Sequence, residues 1–186
     1  WHWMVSSHQN WQASYTLSKA EDNVTDWAFT LPPQNTFDPT TEMGPAFQDQ
    51  RHRFLFSGIL RSSAERSPWA RNWTLAVIAR IASGRPYSQL QGYDRNQDGD
   101  PAGDRPVGVG RNSETTPWTR NVDLRVSRAF RTGKARTDVL LDLFNFFNTT
   151  NVIEVQNNQS SQTPAYGTHV RFAPMRQIQL GVRVSF

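Results

Sequence analysis

Cysteine is absent from the 186-residue chain. Its absence excludes disulfide frameworks, thiolate metal sites and any cysteine nucleophile. Long apolar runs are missing too: hydrophobic residues make up 37% and mean hydropathy is −0.65. No stretch approaches the roughly 18 consecutive apolar residues of a membrane-crossing helix. Strands that cross a membrane are untouched by this test, because they are apolar on one face only. The formal charge is just +4, with no Lys/Arg block and no basic helix, so no nucleic-acid partner is expected. His2, His8, His52 and His169 are dispersed without zinc-site spacing. No Gly-x-Ser-x-Gly elbow occurs. Gly108-Val109-Gly110 lacks the helix and the further residues of a phosphate loop and reads as a turn. An enzyme is therefore not expected. The chain opens Trp1-His2-Trp3 without a basic segment followed by an apolar one, and is expected to be a piece of a longer polypeptide.

What the sequence does contain is alternation of period two. In 177–186, Ile178, Leu180, Val182, Val184 and Phe186 share one parity, against Gln177, Gln179, Gly181, Arg183 and Ser185. This predicts a strand with one apolar and one polar face. The pattern recurs with Val122, Leu124 and Val126, with Trp11, Ala13, Tyr15 and Leu17, and with Trp73, Leu75, Val77, Ala79 and Ile81. Residues 52–60 are ambiguous: Phe54, Phe56 and Leu60 stand on one parity, Leu55 and Ile59 on the other. Residues 137–147 set Val139, Leu141 and Leu143 against Asp138 and Asp142; the run Phe144-Asn145-Phe146-Phe147 breaks alternation, and a bulge is expected there. About six strands follow from these patterns, with no clear strand over Trp1–His8.

The connections alternate in length. Those over 19–50, 83–119 and 148–175 are long, polar and rich in Pro, Asn, Asp and Thr, whereas 61–72 and 131–136 are short. Compact soluble domains rarely carry repeated structureless loops of that length, but outer-membrane barrels pair short periplasmic turns with long extracellular loops. Laid up and down, the strands bring Trp11, Trp73, Phe130 and Phe186 to the short-turn end, as in an interfacial aromatic girdle. The fold class expected is all-β, an antiparallel up-and-down meander with charges on its polar face pairing across neighbouring strands.

Several segments together resemble the C-terminal barrel of TonB-dependent receptors, in particular the Oar-like group with a carboxypeptidase-regulatory-like domain. They are Tyr15-Thr16-Leu17-Ser18-Lys19, Asp49-Gln50-Arg51-His52-Arg53-Phe54, Ser83-Gly84-Arg85-Pro86-Tyr87, Tyr93 to Asp100, Asp104 to Asn112, Asn121 to Arg125, Leu143 to Asn148, and the terminal strand. They occur in the family's order over nearly the whole chain. The 61–72 connection departs from it, being longer than a minimal periplasmic turn. The resemblance implies residues 1–186 as the C-terminal segment of a 22-stranded outer-membrane barrel, with a plug domain and TonB box elsewhere in the polypeptide. It implies energy-coupled uptake of a large or scarce nutrient, with outer-membrane lipid, the TonB system and an unidentified ligand as partners. Ile178, Leu180, Val182, Val184 and Phe186 resemble the signal read by barrel-assembly machinery. The alternative is a soluble secreted β-sandwich that binds carbohydrate through Trp platforms and holds a structural Ca²⁺.

One local motif carries metal chemistry. In Asp94-Arg95-Asn96-Gln97-Asp98-Gly99-Asp100, oxygen-bearing side chains at alternate positions precede a turn glycine, as in the first half of an EF-hand loop. The expected Ca²⁺ ligands are Asp94, Asn96, Asp98 and Asp100. Arg105 stands where the bidentate Glu of such a loop belongs, with Asp104 beside it. The competing reading is a metal-free run of Asx turns.

Overall fold

The structure, a computed structural model, describes residues 1–6, 8–23, 33–35, 37–63 and 67–186. Parts of the first long connection and of the 61–72 connection lie outside these. The strands are β1 (His2–Ser6), β2 (Gln9–Leu17), β3 (Glu21–Asp22), β4 (Gly44–Pro45), β5 (His52–Arg61), β6 (Trp73–Ala82), β7 (Pro86–Tyr87), β8 (Glu114–Thr115), β9 (Thr119–Thr132), β10 (Ala135–Phe144), β11 (Val152–Val155), β12 (His169–Phe172) and β13 (Gln177–Ser185). A single turn of 3₁₀ helix, Pro39–Glu42, is the only helical element among the described residues.

Seven strands form one antiparallel sheet in the order β1-β2-β5-β6-β9-β10-β13, an up-and-down meander. The six expected strands are all present. The seventh, β1, corrects the expectation of no strand near the start. It pairs with β2 through Trp3 opposite Trp11, with a register shift between Met4 and Ser6. The sheet edge is therefore β1 and not β2. The remaining six short strands pair as β3–β4, β7–β8 and β11–β12, all within the long connections.

Register resolves the two faces, since residues opposite each other in a ladder point the same way. Tyr15 lies opposite Phe54, which lies opposite Ile81; Val77 opposite Leu124, which lies opposite Leu143, which lies opposite Ile178. Val126, Leu141 and Leu180 form a second row of this kind. The apolar residues thus make one continuous face across the sheet. The ambiguity in β5 disappears: Phe54, Phe56, Gly58 and Leu60 join the apolar face, while Leu55 and Ile59 lie opposite Ser14 and Asn10 on the polar one. The expected bulge at 144–147 is instead the end of a strand. Beta10 stops at Phe144, and Asn145 and Asn148 take left-handed φ of 48° and 54°, reversing the chain.

Among the described residues nothing covers this apolar face. Glycine and proline aside, Ala82 and Val152 are the only buried apolar residues among those described. Ile178, Leu180 and Val182 are 67%, 71% and 64% exposed. A soluble antiparallel sheet packs one face on a core; among the described residues no second sheet lies against the apolar side, so the β-sandwich is not favoured.

The apolar face carries its aromatics in two tiers. At the short-turn end the Arg128 guanidinium lies 5.2 Å from the Trp73 ring and 5.0 Å from that of Phe130, and donates to the Pro68 carbonyl at 2.7 Å. Such a cation keeps its head polar while its stem covers apolar surface. At the opposite end His52 stacks between Tyr15 and Trp118, and Tyr15 Oη lies 2.9 Å from His52 Nδ1. Between them Trp11 stacks on Phe56 across Gly58. A Cβ at position 58 would sit 1.9 Å from Trp11 Cε3, so this position requires glycine. Gly58→Ala is expected to cost about 1–3 kcal/mol through overpacking. In a Trp11→Ala background the cost should shrink, because the clash is gone; urea titration of the detergent-folded protein and its variants reads this coupling.

Candidate functional site

The short links, β1–β2, β5–β6 and β9–β10, lie at one end of the sheet, and the long connections at the other. The described parts of the long connections contain further pairing. Each folds back as a two-stranded ribbon, and polar side chains then tie them to one another. Glu42, Arg105 and Arg111 are 1%, 3% and 2% exposed. Arg105 grips Glu42 with both amino groups, Nη1 to Oε2 at 3.0 Å and Nη2 to Oε1 at 2.8 Å. Arg111 donates from Nε to the Glu42 main-chain oxygen at 2.7 Å and from Nη2 to the Asp22 carbonyl and carboxylate. Asn112 donates to the Pro45 carbonyl at 2.7 Å, and Asn157 from the third connection donates to the Ser88 carbonyl at 3.0 Å. A bidentate Arg–carboxylate pair fixes orientation as well as charge. Gly44 lets the main chain of Arg111 approach, since a Cβ there would stand 2.6 Å from its oxygen.

This network builds a cap with a cavity of about 690 Å³. Its lining includes Gln34, Asn35, Arg95, Asn96, Asp98 and Arg105. The amides of Gln34, Asn35 and Asn96, the Arg95 guanidinium and the Asp98 carboxylate border one space and can hydrogen-bond a polar ligand, while Arg105 is committed to Glu42. Beside it, burial, then the Tyr166 hydroxyl and the Glu114 carboxylate, push the Tyr87 phenol up; burial and Glu114 raise Tyr166 likewise.

Below the cap the polar face of the sheet carries the expected cross-strand charge pairs. Arg125 lies opposite Asp142 in register and holds it through Nε at 2.5 Å and Nη2 at 2.8 Å. Arg80 Nη1 reaches Asp123 on the neighbouring strand at 3.1 Å; within β10 itself, Arg136 Nε reaches Asp138 two residues along at 3.0 Å. Three of the charges on this face are thus paired with an opposite charge close by.

The motif beginning at Asp94 folds as three successive Asx turns, at Asn96, Asp98 and Asp100, with Asp94 reaching across to Gly99. Asp94 Oδ2 accepts from the Gly99 amide at 2.9 Å, Asn96 Oδ1 from that of Asp98 at 2.9 Å, Asp98 Oδ1 from that of Asp100 at 3.0 Å and Asp100 Oδ1 from that of Ala102 at 2.9 Å. Asn96, Asp98 and Asp100 are exposed, whereas Asp104 is buried beside this loop at 1% exposure. Among the described residues no three His, Cys, Asp or Glu side chains gather as a metal cluster. Sequence reasoning missed Glu42 and Arg111. Their only signal was an isolated charge inside a Pro- and Gly-rich connection.

The terminal residues Ile178, Leu180, Val182 and Val184 project from β13 on the apolar face, opposite Leu143, Leu141, Val139 and Thr137, and Phe186 follows the strand fully exposed. No curated protein and no solved structure matches the chain. A family described as "Outer membrane beta barrel domain" matches residues 4–109. Those residues hold β2, β5, β6 and the first half of the cap, and β9, β10 and β13 continue the same meander beyond them. The uncovered apolar face meets lipid and the charged face lines the interior; the chain belongs to the outer membrane β-barrel domain family and resides in the outer membrane.

Proposed function

We propose that this chain is the closing segment of a 22-stranded TonB-dependent receptor barrel, whose long loops capture a large or scarce nutrient for energy-coupled uptake. The observation that carries the reading is the cap. Long extracellular connections locked by Glu42–Arg105 and Arg111, over a polar interior wall, suit a vestibule that holds a ligand above a plugged lumen better than an open diffusion pore. The order of the segments that resemble this family supports the same conclusion. On this reading a plug domain and a TonB box stand upstream in the same polypeptide, the chain has no catalytic role, and Ile178 to Phe186 present the signal for barrel-assembly machinery. The ligand is not specified, because fold does not determine it.

The test is binding of the full-length protein, purified in detergent, to the periplasmic C-terminal domain of TonB. Retention on immobilised TonB, lost when the N-terminal box is deleted, is the expected result. A full-length protein that lacks such a box and shows no retention would overturn the proposal while leaving the barrel intact.

A further inference from the structure

We infer that the connection 91–104 encloses a site for a hard divalent cation, Ca²⁺, with Asp94 and Asp104 as charged ligands and Gln91 as a neutral one. The chain supplies an alternating Asp94-x-Asn96-x-Asp98-Gly99 run, the spacing by which one loop can direct several oxygens to one point. An independent observation concerns the base of this loop. Asp104, almost fully buried, spends Oδ2 on the Arg95 amide at 2.5 Å, and its main-chain oxygen accepts from the Gln91 amide at 2.9 Å. This closes the loop on itself around Asp94. Three oxygens belonging to that closure, Gln91 Oε1, Asp94 Oδ1 and Asp104 Oδ1, are buried and have no hydrogen-bond donor.

Buried carboxylate oxygens are ordinarily answered by a donor or a metal. Two carboxylates with an amide oxygen, completed by main-chain oxygens and water, form a donor set of the kind Ca²⁺ accepts and softer metals do not favour. Asn96 Oδ1 and Asp98 Oδ1 are spent on the Asp98 and Asp100 amides at the exposed end of the loop. The ligand set thus shifts from the exposed end of the motif toward its buried base: Asp100 turns outward to the Ala102 amide, and Asp104 replaces it. The rival is a direct ion pair, because the Nε atoms of Arg95 and Arg105 are also buried without acceptors. A cation stabilises the loop only when supplied, whereas an ion pair is indifferent to it.

The experiment uses the full-length protein, stripped with chelator and equilibrated with radioactive Ca²⁺, and needs neither TonB nor a transported ligand. Wild type should bind one more Ca²⁺ per chain than Asp104→Asn or Asp94→Asn, or bind it about tenfold or more tightly. Asp138→Asn, on the interior wall, should match wild type. Equal binding by wild type and both loop variants would overturn the site. Limited proteolysis of wild type alone gives a second reading. Protection of 83–118 by Ca²⁺ that chelator reverses is expected; identical digestion with and without Ca²⁺ would favour the Arg95 ion pair and contradict the inference.

Discussion

Glu42→Ala is expected to open the extracellular cap while leaving the barrel folded. The substitution strands the Arg105 guanidinium, which is 3% exposed and has both amino groups on the lost carboxylate. Removing one partner of a buried ion pair costs about 3–5 kcal/mol, most of it from the uncompensated charge left behind. It also frees the Gln34 amide, which donates to Glu42 Oε1 at 3.0 Å. The cost falls on the contacts between two long connections, not on the ladder of the sheet. Protease should therefore cut within 37–50 and 83–118 far faster than in wild type, while the assembled protein still runs as a compact species on unheated gels. Replacing both partners, Glu42→Leu with Arg105→Leu, should restore much of the protection, because no buried charge remains and Arg111 still holds the position-42 main-chain oxygen. Unchanged digestion of Glu42→Ala would show that the pair does not hold the cap together.

Val182→Arg should have the next largest effect, and on a different part of the molecule. Val182 lies opposite Val139 on the apolar face. A cation at the midplane of the lipid face costs about 2–4 kcal/mol, enough to deplete the assembled form at equilibrium. Gln179 lies opposite Asp142 on the charged face. Gln179→Arg should assemble as wild type does. The two positions are three residues apart on one strand, and both are exposed here, so a shared defect in secretion or degradation would strike them equally. Matching loss of heat-modifiable barrel in both variants would refute the facing.

The sheet was legible in the sequence because one physical requirement wrote it. A strand between lipid and water must alternate, so β2, β6, β9, β10 and β13 declared themselves by parity, and the connection lengths gave their direction. Beta1 was not legible, for His2-Trp3-Met4-Val5-Ser6 does not alternate and its register shifts where it leaves β2. In β5, Leu55 and Ile59 obscured the parity, since a broad interior wall tolerates apolar residues that a lipid face does not tolerate as charges. The cap was least legible. Glu42 meets Arg105 across 63 positions of sequence and Arg111 across 69. Nothing local marks such a pair. The Asp94 motif showed where oxygens were concentrated, but burial decided which of them lack donors, and that brought Asp104 forward.

This chain contains no cysteine, so one introduced on β13 is the single thiol of these strands, and any cysteine elsewhere in the polypeptide is replaced by serine. Single cysteines placed in turn from 177 to 186 in the full-length protein, in intact outer membranes, would be exposed to a membrane-impermeant maleimide. Reaction should follow a period of two, with positions 179, 181 and 183 labelled from the aqueous interior and 178, 180, 182 and 184 protected by lipid. Uniform labelling along the strand, or labelling on the opposite parity, would contradict a lipid-facing apolar surface.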